Sequence, residues 1–245
     1  MIRTIYCALI FTVFTIFYGI VGMILSLTYR PWVTKYAVKP WAKTNLWAGG
    51  IKIDVKGLEN LPKEPCIIMF NHQSALDILA YMSILPIDWR AIMKKEVGKI
   101  PFIGWVSILS GHHLVARDGS RSDTKEVKKI VEKIRLGPSV VVAPEGTRSD
   151  DGKLLPFQKG GFLIAVLARV PVVTMVIAGG RKLLPKSSRK AYPGTMKIRI
   201  LPPISVDELP KGREGREKLM HIVREQMEEV LAVEEATLPD VEEKI

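Results

Sequence analysis

The first residues equipped for chemistry stand together as Asn71-His72-Gln73-Ser74-Ala75-Leu76-Asp77, between the apolar run CIIMF and the start of a helical pattern. Histidine exchanges a proton near neutral pH, and a carboxylate in the first turn of a helix can reach back to an imidazole standing just outside it. Such a carboxylate holds one ring N–H, leaves the other nitrogen free as a base, and stabilises the imidazolium once a proton arrives. No serine or cysteine is needed if the nucleophile is a substrate hydroxyl. A second reading competes, because Ser74-x-x-Asp77 also has the spacing of a capping box, and Asp77 would then serve only to start the helix.

Two more polar loops follow strand-like runs. After HHLVA comes Arg117-Asp118-Gly119-Ser120-Arg121, and after SVVVAP comes Glu145-Gly146-Thr147-Arg148-Ser149, with Lys159-Gly160-Gly161 further on at an expected helix start. Arg117, Arg148 and Lys159 are expected to converge from separate strand ends, where guanidinium forks suit a phosphate. Gly146 lets the backbone approach a ligand, and Thr147 adds a hydroxyl donor. Each arginine taken alone reads equally as a surface residue. Backbone N–H groups at the helix start after Ser74 are the expected donors to a developing oxyanion. Neither a metal nor another cofactor is expected, since His112 and His113 point to opposite faces of a strand and no ligand cluster has zinc spacing. Cys7 and Cys66 form no paired spacing. His221 lies in a helical pattern and is assigned to packing.

These loops need a scaffold. Short apolar runs at 51–55, 66–70, 90–93, 113–116, 140–143, 172–177 and 196–201 read as strands, and the periods at 75–85, 124–135 and 162–169 read as helices. That alternation predicts an α/β fold with a largely parallel sheet flanked by helices, its strands buried on both faces. Sites in such sheets lie in loops leaving the carboxyl ends of strands, where all three polar loops fall. Residues 51–213 are the expected body, and 214–245 hold a long amphipathic helix, expected over 214–235, with an acidic end.

Residues 1–50 are of another kind. Residues 4–28 contain no charged side chain, and as a helix they would run roughly 37 Å against a hydrocarbon core of ~30 Å. A cleavable signal peptide competes, but the stretch exceeds a typical signal core and no small-x-small site follows. Behind it Trp32, Lys35, Tyr36, Lys39, Trp41, Lys43 and Trp47 interleave, which suits a second helix at the headgroup level, kinked at Pro40. An ordinary amphipathic core helix is the plainer alternative. The expected partner is a phospholipid bilayer. If the first helix spans an inner or plasma membrane, Arg30, Lys35, Lys39 and Lys43 outweigh Arg3 and put the body on the cytoplasmic face; if the two helices form a hairpin in one leaflet, the body still sits on that surface.

Charge narrows the function. The 245 residues carry 36 Lys and Arg against 25 Asp and Glu, and because the last twenty hold seven acids and one base, the remainder is strongly basic. A basic body expects a polyanionic partner. Nucleic acid is disfavoured, since three of the five tryptophans lie in the anchor rather than among the bases of the body. The segment 181–190, with five cations, reads as a solvated loop or as a contact for acidic headgroups. A tethered binding protein without catalysis would explain the anchor and the charge but not His72 with Asp77.

Four blocks together resemble one family. Asn71-His72-x-x-x-x-Asp77 resembles the NHxxxxD block of the glycerolipid acyltransferases, and Pro144-Glu145-Gly146-Thr147-Arg148-Ser149 is similar to their FPEGTRS block. Residues 111–117 look like the intervening GxxFxxR block and Val170-Pro171-Val172-Val173 like the valine-proline block, in the family's order over roughly 65–175. Ala143, Leu114 and Ala116 depart from the usual residues at packing positions. The resemblance implies that His72 is the general base and Asp77 its partner, and that Arg117, Glu145, Gly146 and Arg148 line a glycerol-phosphate site. It further implies an acyl thioester donor, acyl-CoA or acyl carrier protein, and an acceptor such as lysophosphatidic acid, with glycerol 3-phosphate or another lysophospholipid as the nearest alternatives.

Overall fold

The computed structural model describes residues 2–116, 121–135, 137–188 and 190–239. Arg117 lies outside the described residues. Seven strands form one sheet: β1 (Ile51–Lys56), β2 (Ile67–Phe70), β3 (Trp89–Lys94), β4 (His113–Val115), β5 (Ser139–Val142), β6 (Val172–Ala178) and β7 (Gly194–Ile200), in the order β1-β7-β6-β2-β5-β3-β4. Every pairing is parallel except β6 with β7, where Met175 faces Ile200 and Ala178 faces Lys197. The expected strands are all present, within two residues at each end. Their sense is what periodicity could not supply: β7 and β1 run against the other five, so Ile51 begins at the edge where β2 and β5 end.

Apolar runs form the sheet's centre because both faces are covered. All seven residues of β6 and all four of β2 and β5 are buried. One face is covered by α3 (Lys39–Ala48) and α4 (Leu76–Ile84), with Phe70, Tyr81, Trp89 and Met196 in its core. The other is covered by α6 (Arg121–Ile134), α7 (Lys159–Ala168) and α9 (Gly212–Ala236), and the single turn α8 (Gly180–Leu183) lies between β6 and β7. In α9 the buried residues Leu219, Val223, Met227 and Leu231 recur every fourth position, and each contributes roughly 1.5–3 kcal/mol by burial. His221 is off that stripe. It is exposed and 3.3 Å from Glu225, so its assignment to packing is corrected: it belongs to the solvent face.

The first fifty residues form a hairpin. Helix α1 (Ile2–Ser26) is followed by α2 (Arg30–Val33), a π-helical stretch Thr34–Val38, and α3. The irregularity expected at Pro40 falls one turn earlier. Pro40 has no N–H to give a carbonyl four residues back, and the Lys39 N–H bonds Thr34 O in a wider turn. Trp41 Nε1 donates to Thr15 Oγ1 at 3.0 Å, and Arg3 donates to Gly49 O, so the arms are antiparallel. The hairpin also lies along the body. Near its far end α1 meets α5 (Ile103–Leu109), where a Cβ on Gly19 would come within 2.7 Å of Phe102 Cβ; glycine permits that approach.

The outward side of the hairpin is apolar. Ile5, Leu9, Val13, Ile16, Ile20 and Ile24 are exposed at helical spacing along α1, and Trp105 and Ile108 of α5 are exposed as well. α1 is long and apolar enough to cross a membrane. Of the cations expected at headgroup level, Lys35 and Lys43 are exposed, whereas Lys39 Nζ donates to Ile84 O at 3.2 Å and caps the end of α4.

Candidate active site

His72 and Asp77 meet as their spacing suggests. His72 Nδ1 and Asp77 Oδ2 are 3.0 Å apart, at the carboxyl edge of the central strand β2. The imidazole retains 17% of its side-chain exposure and the carboxylate 1%, so the pair opens to solvent only through the ring. With Nδ1 on the carboxylate, Nε2 is the free nitrogen. Asp77 also serves the start of the helix. The same Oδ2 accepts the Gln73 N–H at 2.7 Å and the Ser74 N–H at 2.8 Å. The two roles are one geometry, since the bonds that cap α4 aim the carboxylate at the ring.

Asn71 ties this loop to the neighbouring strand. Its amide donates to Ile177 O and its carbonyl accepts the Ile177 N–H, both at 2.8 Å, with the side chain fully buried. That two-pronged bond replaces a ladder pairing where β2 stops. At the start of α4 the N–H groups of Gln73 and Ser74 are on Asp77, that of Leu76 is on Ser74 Oγ at 3.3 Å, and that of Asp77 is on Ser74 O at 3.3 Å.

The loop after β5 clamps the backbone of His72 from both sides. Glu145 Oε1 accepts the His72 N–H at 2.7 Å, and the Ser149 N–H donates to His72 O at 2.9 Å. Glu145 Oε2 takes the Leu155 N–H at 2.8 Å. Glu145 is 3% exposed, with both carboxylate oxygens on main-chain N–H groups, so it holds the loop that carries His72. Burial raises its pKa above the usual carboxylate range, against the opposing pull of those two N–H groups. The sequence signal for this role was a lone acid next to a buried strand, where a carboxylate needs partners.

The remaining candidates are spread more widely. Gly146 takes φ 75, a conformation glycine adopts freely, and its N–H closes a turn on Ala143 O at 3.1 Å. Thr147 is exposed and Arg148 half-buried on the same loop. Lys186 Nζ donates to Arg148 O at 3.0 Å and to Asp150 Oδ2 at 2.9 Å, so the cationic segment 181–190 packs against this loop. Lys159 stands further along, on the next helix. It opens α7 as an exposed residue within electrostatic reach of Glu217 on α9, towards the other face of the sheet.

His112 and His113 part as expected of neighbours on a strand. His112 Nδ1 accepts the Ala91 N–H at 2.9 Å and stacks near Trp89, while His113 is buried. Burial lowers their pKa values to about 3 and about 4, so both are neutral. Among the described residues no group of three or more His, Cys, Asp and Glu could hold a metal ion.

The family model described as Acyltransferase matches residues 52–178, which contain the whole constellation around His72. The chain belongs to the Acyltransferase family. It is 33% identical over 238 residues to a 1-acyl-sn-glycerol-3-phosphate acyltransferase of Saccharomyces cerevisiae, covering 91% of this chain and 77% of that protein. It is 37% identical over 182 residues to a chloroplastic 1-acyl-sn-glycerol-3-phosphate acyltransferase of Brassica napus, covering 69% of this chain. There the chain spans about half the relative's length, at 52%. The crystal structure of the 1-acyl-sn-glycerophosphate acyltransferase of Thermotoga maritima superposes with a TM-score of 0.78 at 28% identity, covering 94% of this chain and 97% of that one. Membership makes the mainly parallel sheet an acyltransferase scaffold, in which β2 and β5 carry the two loops that meet at His72.

Proposed function

We propose that this acyltransferase moves an acyl chain from an acyl thioester, acyl-CoA or acyl carrier protein, to the free sn-2 hydroxyl of 1-acylglycerol 3-phosphate, giving phosphatidic acid. The observation that carries the reading is His72 Nδ1 held 3.0 Å from the buried Asp77 carboxylate, which leaves Nε2 as the outward base. Nε2 takes the proton of the acceptor hydroxyl as its oxygen attacks the thioester carbonyl. The imidazolium that forms is stabilised by Asp77, with the buried Glu145 carboxylate adding negative charge near the loop. The carbon–sulfur bond breaks, the imidazolium returns its proton to the departing thiolate, and no cofactor or covalent acyl-enzyme is needed.

Arg148, on the loop that clamps His72, is the proposed partner of the acceptor phosphate, with Arg117 and Thr147 as further contacts. The similarity to 1-acylglycerol-3-phosphate acyltransferases supports this choice of acceptor. The acyl chain has a candidate seat: an apolar pocket, open to solvent, between α1, α3, α4 and α5, lined by Tyr18, Trp41, Met82, Phe102 and Val106. The hairpin favours insertion into one leaflet of a membrane rather than a crossing. A crossing helix leaves its body at one end, whereas α1 is held at Gly49 near its start and at Phe102 further along. The exposed apolar side of α1 and α5 then faces the lipid, and Lys35 and Lys43 face its headgroups. We place this surface on the cytoplasmic side of the inner or plasma membrane.

The test is thiol release from an acyl thioester by purified protein in detergent, with and without 1-acylglycerol 3-phosphate, for wild type, His72→Ala and Arg148→Ala. Release that requires acceptor and His72, with phosphatidic acid as product, is expected. Arg148→Ala should raise KM for the phosphorylated acceptor, and an equal loss with a phosphate-free acceptor would reassign it. Release only with glycerol 3-phosphate or another lysophospholipid would replace the acceptor. Silence across that panel would return Asp77 to a helix cap and leave a phospholipid-binding protein.

A further inference from the structure

Asp77 makes all three of its hydrogen bonds through Oδ2, and Oδ1 is buried with no hydrogen-bond partner. The space beside Oδ1 is filled by Gly180, just beyond β6. A Cβ on Gly180 would overlap Oδ1, and would meet Met196 Cε and Ser74 Cβ at 3.0 Å. The glycine Cα is therefore flush against the carboxylate and shuts water away from Oδ1. A carboxylate denied donors on one oxygen keeps more of its charge for the one partner that gains a proton, the imidazole of His72.

That turn is itself held from the far end of the chain. Gly179, with φ 89, donates its N–H to Glu235 Oε1 at 2.8 Å, and a Cβ there would lie 3.1 Å from Leu238 Cδ1. The end of α9 that supplies Glu235 is bolted to β7. Arg199 donates to both oxygens of Glu234, at 2.5 and 2.9 Å, and Lys197 Nζ donates to Thr237 Oγ1 at 2.6 Å. A continuous line of contacts thus runs Glu235, Gly179, Gly180, Asp77, His72.

We propose that the Gly179–Gly180 turn, held by Glu235, is a positioning element of the active site that keeps Asp77 Oδ2 aimed at His72 and Oδ1 dry. It rests on the reading of His72 as general base. Glu235 touches no reacting atom and acts through the turn.

The test measures kcat and KM for 1-acylglycerol 3-phosphate against pH, with thermal midpoints, for wild type, Gly180→Ala, Glu235→Ala, Glu235→Gln and His72→Ala of the full chain in detergent. Gly180→Ala is expected to lower kcat about 100-fold and Glu235→Ala about 10-fold, with KM within about twofold of wild type. Glu235→Gln should restore most of the loss, because its amide oxygen still accepts the Gly179 N–H. An imidazole with a poorly placed carboxylate is less easily protonated, so the acid limb of kcat should move to lower pH in both damaged variants, Glu145 being untouched. Glu235→Ala leaves the core intact and decides the matter even if Gly180→Ala does not fold. A lowered thermal midpoint with unmoved kcat and acid limb, or a Gln variant no better than Ala, overturns the proposal. His72→Ala inactive beside unaffected turn variants removes the positioning role alone; His72→Ala with wild-type turnover removes the base, and the positioning role with it.

Discussion

The loop that carries His72 and the hairpin that precedes the body make opposite use of burial. In the loop, Asn71, Gln73 and Ser74 are buried and each bonds main-chain groups beyond the loop, on Ile177, Gly152 and Leu184. In the hairpin the inner side is closed, by Val33, Ala37, Ala42 and Leu46, while the outer side shows Ile5, Leu9, Ile16 and Trp47 to the exterior. One surface is completed by folding and leaves only the ring of His72 to act. The other needs a second phase to cover it. Catalytic geometry requires rigid support, because an ångström of misplacement is costly, whereas membrane attachment requires only apolar area.

The largest effect should come from breaking the closed region. Glu145→Ala leaves the buried N–H groups of His72 and Leu155 without acceptors, a loss of about 1–3 kcal/mol each. Denaturant unfolding should report that loss, and turnover should fall by about 100-fold as His72 is freed; full activity would mean the clamp is idle. A moderate effect is expected from acid. His112 and His113 stay neutral in the fold down to about 3 and about 4, so stability is full above their unfolded value near 6.5 and declines as pH falls below it. The decline should approach about 1.4 kcal/mol per pH unit for each buried histidine. Unfolding midpoints between pH 7 and 5 measure it, and replacing the exposed His221 by Ala should leave the slope unchanged. The smallest effect on stability belongs to the open region. Ile16→Asn with Ile20→Asn should shift the midpoint in detergent by under about 0.5 kcal/mol, as for surface changes elsewhere. Sedimentation with anionic phospholipid vesicles should nevertheless show weaker binding, and unchanged binding would remove α1 from the membrane face.

Much of this arrangement was legible in the residues. Runs such as VVTMVIA read as buried strands because a central strand has both faces covered, and the five-residue step from His72 to Asp77 follows from a carboxylate in the first helical turn. Other features left no local trace. Helix α5 has seven residues, too few for a period to show, yet it carries the exposed Trp105. Lys39 read as a headgroup contact because its apolar neighbours hid the carbonyls at the end of α4, which are distant in sequence. The bonds of Glu145 to His72 and Leu155 left no local trace, because a buried clamp and a binding carboxylate have the same local sequence. The face on which α7 packs left no trace either, because nothing along the chain says which side of the sheet it covers.

Local chemistry therefore determined the elements and the pairing of His72 with Asp77, since helix starts, apolar runs and the reach of one side chain depend on near neighbours. Tertiary structure alone decided which groups stand behind that pair. Glu145 lies 73 residues from His72. Glu235 lies 56 residues from Gly179. Hydrogen bonds of that span exist only after the sheet has brought the ends of β2, β5 and β6 together, and α9 back across them, because their geometry depends on pairing order and direction rather than on any neighbouring residue.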